Sequence, residues 1–201
     1  MPRTADKNDI PQRLTEAGYQ LFTRLGYNAT GIQQIADEAG VPKGSFYNHF
    51  DSKEAFAAVI IRQYTDWVHE AWGNCVSEAP CQAQDDALGV MRYVFERFIR
   101  HHEQAATPGC LVGNFAAEVA DSSPACRAVL GSAMQEWRTL LAGLMALGQQ
   151  QGQIRTDRNA IDLAAFFWDV WEGALLRMKI EHNSQPLKDT VQLMLDHFLR
   201  P

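Results

Sequence analysis

Apolar positions recur every three to four residues along almost the whole chain, and glycine, proline and small polar residues punctuate them. No stretch alternates at every second position as a half-buried strand would. Leu14, Ala17, Leu21, Phe22 and Leu25 predict a helix from near Asp9 to Leu25, ended by Gly26. Thr30 with Gln33 has capping-box spacing and predicts a short helix whose apolar face is Ile32, Ile35, Ala36 and Ala39. Gly40 supplies its left-handed stop. Pro42 opens a second short helix over 43–50, and Asp51 with Glu54 repeats the capping-box spacing. A long helix follows from Ser52 to about Glu78. Its stripe, from Phe56 and Ile60 through Tyr64, Trp67 and Trp72 to Cys75, is roughly 30 Å long at about 1.5 Å per residue.

Beyond the Ala79-Pro80 stop, the pattern predicts a helix over 84–103 and a break at Ala106–Gly109. A short segment from Cys110 to Ala120 comes next, then a long helix from Ser123-Pro124 to Gln151, closed by Gly152. Another runs from Asp157 to about His182 and carries Phe166, Phe167, Trp168 and Trp171. Pro186 starts the last, with Val191, Met194, Leu195 and Phe198. The expectation is an all-α fold of nine helices: a three-helix head over 1–51 and a six-helix body over 52–201. The two final helices are apolar on more than one side, which marks deep core or an interface.

Composition narrows the class. The chain of 201 residues is 46% hydrophobic and 21% charged, as expected of a soluble protein with a real core. No apolar run reaches the ~20 residues needed to cross a bilayer. The N-terminus lacks the apolar segment of a signal peptide, so a cytoplasmic location is expected. The four cysteines should then be reduced thiols. The formal net charge of −6 argues against nonspecific nucleic-acid binding. Residues 1–50 hold five basic and five acidic side chains, so the head is neutral and the remainder acidic. Arg3 and Lys7, in a polar N-terminal stretch, fit a frayed terminus better than a DNA contact.

Two short helices joined at a glycine are the pattern of a helix-turn-helix, whose second helix enters the major groove of DNA. The residues Thr30, Ile35-Ala36, Ala39-Gly40-Val41, Lys43-Gly44-Ser45, Tyr47, His49-Phe50 and Ser52-Lys53-Glu54 resemble the N-terminal domain of the TetR family of bacterial transcriptional repressors. The resemblance covers residues 10–57 without a gap. It implies a homodimer formed through residues 157–200, a near-palindromic operator in double-stranded DNA, and release by an effector. Thr30, Tyr47, His49 and Lys53 match positions that contact the DNA backbone. Lys43, Gly44 and Ser45 match positions that meet base edges or approach the backbone closely, and Asn48 lies on the same short helix. Gln33 can read adenine, although cap and solvated face is an equally good reading. Phe46 and Phe50, four apart, belong to the core.

Two further segments, Gly109-Cys110 to Glu118 and Phe167-Trp168 to Lys179, resemble a subgroup of these repressors that answers reactive electrophiles, reactive chlorine or acrylate. Cys110, just after Pro108-Gly109, is expected at a helix N-terminus, where the dipole favours thiolate. The subgroup resemblance suggests Lys179 as its neighbour. The competing reading of Cys110 is a small buried hydrophobe. Trp67, Tyr93, Asn114, Trp168, Trp171 and Glu172 offer aromatic walls and a few polar groups, the makeup of a ligand pocket, though each also fits ordinary packing.

No cofactor is implied. Cys75, Cys81 and the adjacent His101-His102 lack metal-ligand spacing. An all-helical thiol enzyme would need Cys110, Glu118 and His102 to converge, and no catalytic signature supports that. A regulator that binds a ligand reversibly, without thiol chemistry, is the nearer alternative.

Overall fold

The computed structural model of the chain describes residues 9–105 and 109–201. Arg3, Lys7 and residues 106–108 of the expected break therefore lie outside the described residues. Nine α-helices are present among the described residues: α1 Ile10–Leu25, α2 Ile32–Glu38, α3 Lys43–Tyr47, α4 Lys53–Glu78, α5 Ala87–Gln104, α6 Leu111–Val119, α7 Pro124–Gln150, α8 Ala160–Glu181 and α9 Gln185–Leu193. A π-helical turn, Met194–Phe198, extends α9.

Several boundaries depart from expectation, each for a local reason. At α2 there is no capping box: Gly31 is the N-cap, Thr30 donates its hydroxyl to the Gly26 carbonyl at 2.7 Å, and Gln33 bonds to Asp37 instead. At α4 the cap is Ser52, whose hydroxyl accepts the Ala55 N–H at 3.0 Å, so the Asp51–Glu54 box is also not formed. The second short helix spans only five residues rather than the whole of 43–50. Helix α5 starts at Ala87, later than expected, because Asp86 accepts the Gly89 N–H. Helix α8 starts at Ala160, because Asn159 accepts the Asp162 N–H at 2.8 Å while Asp157 is engaged by Arg155. The stops at Gly26, Gly40 and Gly152 fall where expected, all at positive φ.

Packing divides the chain into two units. The first runs to Asp66 and takes in Leu111–Ala133; the second comprises Trp67–Cys110 and Met134–Pro201. Helices α4 and α7 contribute to both. The functional division at 51/52 is a different one and remains a proposal.

The first unit is built on a phenylalanine cluster. Phe56 of α4 is fully buried, with ring centroids 5.1 Å from Phe46, 4.7 Å from Phe50 and 5.9 Å from Phe22. Phe22 meets Phe115 of α6 edge-on at 5.2 Å, a favoured aromatic geometry. Arg13 reaches from α1 to the carbonyls of Ala39 and Gly40 and satisfies the C-terminal end of α2. It braces the helix pair.

In the second unit, Phe95 of α5 packs on Phe167 at 4.6 Å and on Trp171 at 5.1 Å, both from α8. The amides of Gln151 and Gln153 accept the N–H groups of Ala87 and Leu88, which open α5 and have no intrahelical partner. The opposite side of α8 is bare: Ile161, Leu176 and Ile180 are exposed, the last at 77%, together with Phe166, Leu193 and Phe198.

Candidate nucleic-acid interface and effector site

The short α3 is held by its one fully buried side chain, Phe46, and by the turn before it. There Val41 N–H donates to Ala36 and Gly40 N–H to Asp37, with Gly40 at φ 64°. Burying Phe46 turns the rest of the helix outward. Lys43, Gly44, Tyr47, Asn48 and His49 are exposed and Ser45 is half-buried. Tyr47, at 53% exposure, spends a large aromatic ring on solvent, which packing alone does not explain. A Cβ built on Gly44 would meet nothing within 4 Å, so in the unbound protein no neighbour requires glycine there.

The remaining expected contacts are arranged differently. Thr30 is buried and its hydroxyl is spent on Gly26, so its side chain does not join the exposed set. Gln33 is exposed but bonded along its own helix to Asp37. Lys53 lies over the Tyr27 ring, 4.1 Å from its centroid, and partial burial lowers its pKa while the Glu118 charge raises it.

Sequence reasoning missed Glu118 as a supporting residue. Its carboxylate accepts the Asn28 N–H at 2.8 Å, and it lies so close to Gly26 that a Cβ there would come within 2.4 Å of Oε1. It thus clasps the loop between α1 and α2 from a helix 90 residues further along. No short-range signal announces such a pairing. It also removes Glu118 from the enzyme alternative.

The effector candidates mostly gather in the second unit. Cys110 immediately precedes α6 and is 7% exposed. Its thiol donates to the Glu172 carboxylate, whose pKa is raised by burial and lowered in part by that bond. The Glu172 Oε1 atom is itself buried without a partner, as is the Trp168 indole Nε1. Trp168 and Glu172 are one turn apart and share a face of α8. Lys179 runs beside the backbone next to Cys110: a Cβ built on Gly109 would lie 3.1 Å from its Cδ and 3.7 Å from its Nζ. Trp171 faces His102 at 6.3 Å, and burial, with His101 nearby, pushes the His102 pKa down to about 4. His102 is therefore neutral at physiological pH.

Trp168 packs on Trp137 at 5.3 Å, and Trp67 lies 5.0 Å from His101. Tyr93 is half-buried on α5, and Asn114 belongs to the first unit. Among the described residues, no group of three His, Cys, Asp or Glu side chains is placed to hold a metal ion.

A profile described as the bacterial regulatory proteins of the tetR family matches residues 14–60, and one described as the tetracyclin repressor-like C-terminal domain matches residues 87–194. The chain belongs to the TetR family. It is 33% identical over 193 residues to the HTH-type transcriptional repressor DhaR of Mycobacterium sp. (strain GP1), covering 96% of this chain and 94% of that protein. It is 31% identical to the transcriptional regulator AcuR of Cereibacter sphaeroides, covering 98% and 90%. It is 25% identical to the HTH-type transcriptional repressor NemR of Escherichia coli, covering 92% of each. The crystal structure of reduced NemR has the same fold, with a TM-score of 0.82 at 24% identity over 93% of this chain and 95% of that one.

TetR-family regulators bind operator DNA as dimers, sense small molecules, act in the cytoplasm and are not enzymes. This chain is accordingly a DNA-binding repressor of that family. Among the described residues, no helix is long and apolar enough to cross a membrane.

Proposed function

We propose that this TetR-family repressor leaves its operator when an electrophile or oxidant reacts with Cys110. The observation that carries the reading is the environment of that thiol. It sits at the start of α6, bonded to the half-buried Glu172 carboxylate, with the Lys179 side chain alongside. A helix N-terminus and a nearby ammonium both favour the thiolate, which is the reactive form.

Lys43, Gly44, Ser45, Tyr47, Asn48 and His49 face the DNA in this reading. A dimer formed by the bare faces of α8 and α9 sets two α3 helices on successive major grooves, about 34–36 Å apart in the simplest arrangement, and so requires a near-palindrome. Six large apolar side chains on residues 161–198 support that dimer surface, because monomers rarely leave so much apolar area in water. Helix α4 runs unbroken from the base of the head, Lys53, to Glu78. A change around Cys110 that shifts α4 alters the spacing of the two heads, and linkage then opposes effector to DNA.

Gel-shift titration of operator fragments tests this. Treatment with methyl vinyl ketone or hypochlorite raises the operator Kd by about 5–150-fold, the usual range of allosteric coupling. Cys110→Ser abolishes the response and keeps DNA binding. A full response in Cys110→Ser would instead favour reversible ligand binding, a reading that the unpartnered Trp168 and Glu172 atoms also suit.

A further inference from the structure

Resting on the reading that α3 faces operator DNA, we propose that α6, which lies outside the helix-turn-helix, sets a DNA contact: Glu118 and Phe115 fix the Tyr27 ring, and that ring aims the Lys53 ammonium at the operator backbone. Glu118 and Tyr27 are positioning residues in this assignment, and Lys53 is the group that meets phosphate. All of them belong to the first unit. The turn that carries Tyr27 is held from two sides. Within the loop, the Thr30 N–H donates to the Tyr27 carbonyl at 3.2 Å and the Thr30 hydroxyl to the Gly26 carbonyl at 2.7 Å. From α6, the Glu118 carboxylate accepts the Asn28 N–H at 2.8 Å. Phe115, three residues earlier and so on the same face of α6, is 1% exposed, with its ring centroid 5.8 Å from that of Tyr27. Phe22 of α1 packs on the same ring at 5.7 Å. Both phenylalanines are anchored in the core, so the Tyr27 ring has little room to turn, and the Lys53 Nζ stands over it, 4.1 Å from its centroid.

Local rules alone place Lys53 badly. As the first residue of α4 its charge sits at the positive end of the helix dipole. It is half-buried, and burial lowers its pKa, which the Glu118 charge restores only in part. A long flexible side chain escapes such costs by extending into water, yet this one is folded onto a fixed ring. A phosphate oxygen reverses both costs: it pairs with the ammonium and is itself favoured at a helix N-terminus. Phe56 in the first turn of α4 touches Phe46 and Phe50, so α4 starts beside α3 and its exposed Tyr47, Asn48 and His49. Residues 1–50 carry as many acidic as basic side chains, so a cation held in register counts for more here than in a basic head.

A duplex selected with the native protein from random-sequence DNA is titrated with full-length variants, each checked for folding by its urea midpoint. Lys53→Ala raises the Kd of the dimer about 30-fold at about 0.15 M salt, about fivefold for each of two lost phosphate contacts, and lowers the slope of log affinity against log salt by about 2. Tyr27→Leu raises the Kd at least about fivefold, the cost of ordering one long side chain in each of two heads. Tyr27→Phe keeps the ring and the native Kd. In the Lys53→Ala background, Tyr27→Leu has no further effect on binding. Glu118→Ala and Glu118→Gln remove the same charge, but only the glutamine can accept the Asn28 N–H. The alanine variant therefore binds at least about threefold more weakly than the glutamine variant, again only while Lys53 is present.

Equal penalties of Tyr27→Leu with and without Lys53 would make the ring part of the fold alone and overturn its assignment. Equal Kd values for Glu118→Ala and Glu118→Gln overturn that of α6, and this pair decides the matter if Tyr27→Leu does not fold. If Lys53→Ala keeps the native Kd and slope while Tyr47→Ala weakens binding, the Lys53 contact is wrong and the reading of α3 stands. If neither substitution weakens binding, both fail.

Discussion

Gly18 offers a test in which two general rules oppose each other and the structure decides. It lies inside α1, where replacing glycine by alanine ordinarily stabilises by about 1 kcal/mol. Here a Cβ would come within 2.4 Å of both Cε1 and Cζ of Phe56. That ring is fully buried and hemmed in by Phe22, Phe46 and Phe50, so it has no free space to enter. Overpacking of this kind costs about 1–3 kcal/mol. Gly18→Ala is therefore expected to destabilise by up to about 2 kcal/mol net, the packing cost less the helix gain. Because Phe56 touches both Phe46 and Phe50, the strain falls on the segment that presents α3.

The assay is urea unfolding followed by far-UV circular dichroism, at one protein concentration so that association is held constant. Gly73→Ala is the control: it is exposed within α4, nothing lies within 4 Å of its Cβ, and stability rises by up to about 1 kcal/mol. Phe56→Leu removes the two obstructing atoms, and in that background Gly18→Ala changes sign and stabilises. A Gly18→Ala protein at least as stable as the native one, at unchanged slope, would refute the reasoning.

Tyr47→Ala weakens operator binding in a gel shift and leaves the urea midpoint within about 0.5 kcal/mol, as suits an exposed side chain. Gly44→Ala separates stability from recognition: it holds or raises the midpoint, because its Cβ meets open space, yet lowers operator affinity if α3 approaches DNA closely there. Glu118→Ala leaves the Asn28 N–H without its carboxylate and destabilises the first unit by about 1–2 kcal/mol, reduced from the buried value by partial exposure. An unchanged urea midpoint would show that the clasp is idle. His102 binds a proton near its ordinary 6.5 when unfolded but only near 4 when folded, so the unfolded chain holds more protons between those values. Its contribution is present above 6.5 and is lost as pH falls through 4, about 3 kcal/mol in all. His102→Gln therefore flattens the stability profile between pH 6.5 and 4, and parallel profiles for the two proteins would contradict the shift.

What the sequence by itself determined is what acts over a few residues. The apolar stripes placed α1, α4 and α7 to within a residue or two, and Gly26, Gly40 and Gly152 marked the stops of α1, α2 and α7 because left-handed backbone favours glycine. The pattern around Gly40 and Phe46 was enough to name a helix-turn-helix and its family. Capping was less legible, because Thr30, Asp51 and Ser52 are all chemically able to cap, and only the backbone path decides which oxygen reaches an N–H. The tertiary structure turned Thr30 inward, set Arg13 against the end of α2, and brought Glu118 to Asn28 across 90 positions. It also put the Cys110 thiol on Glu172 and left the Trp168 N–H without a partner. Pairings of that range depend on how whole helices pack, and neither periodicity nor propensity reaches beyond the helix that carries them.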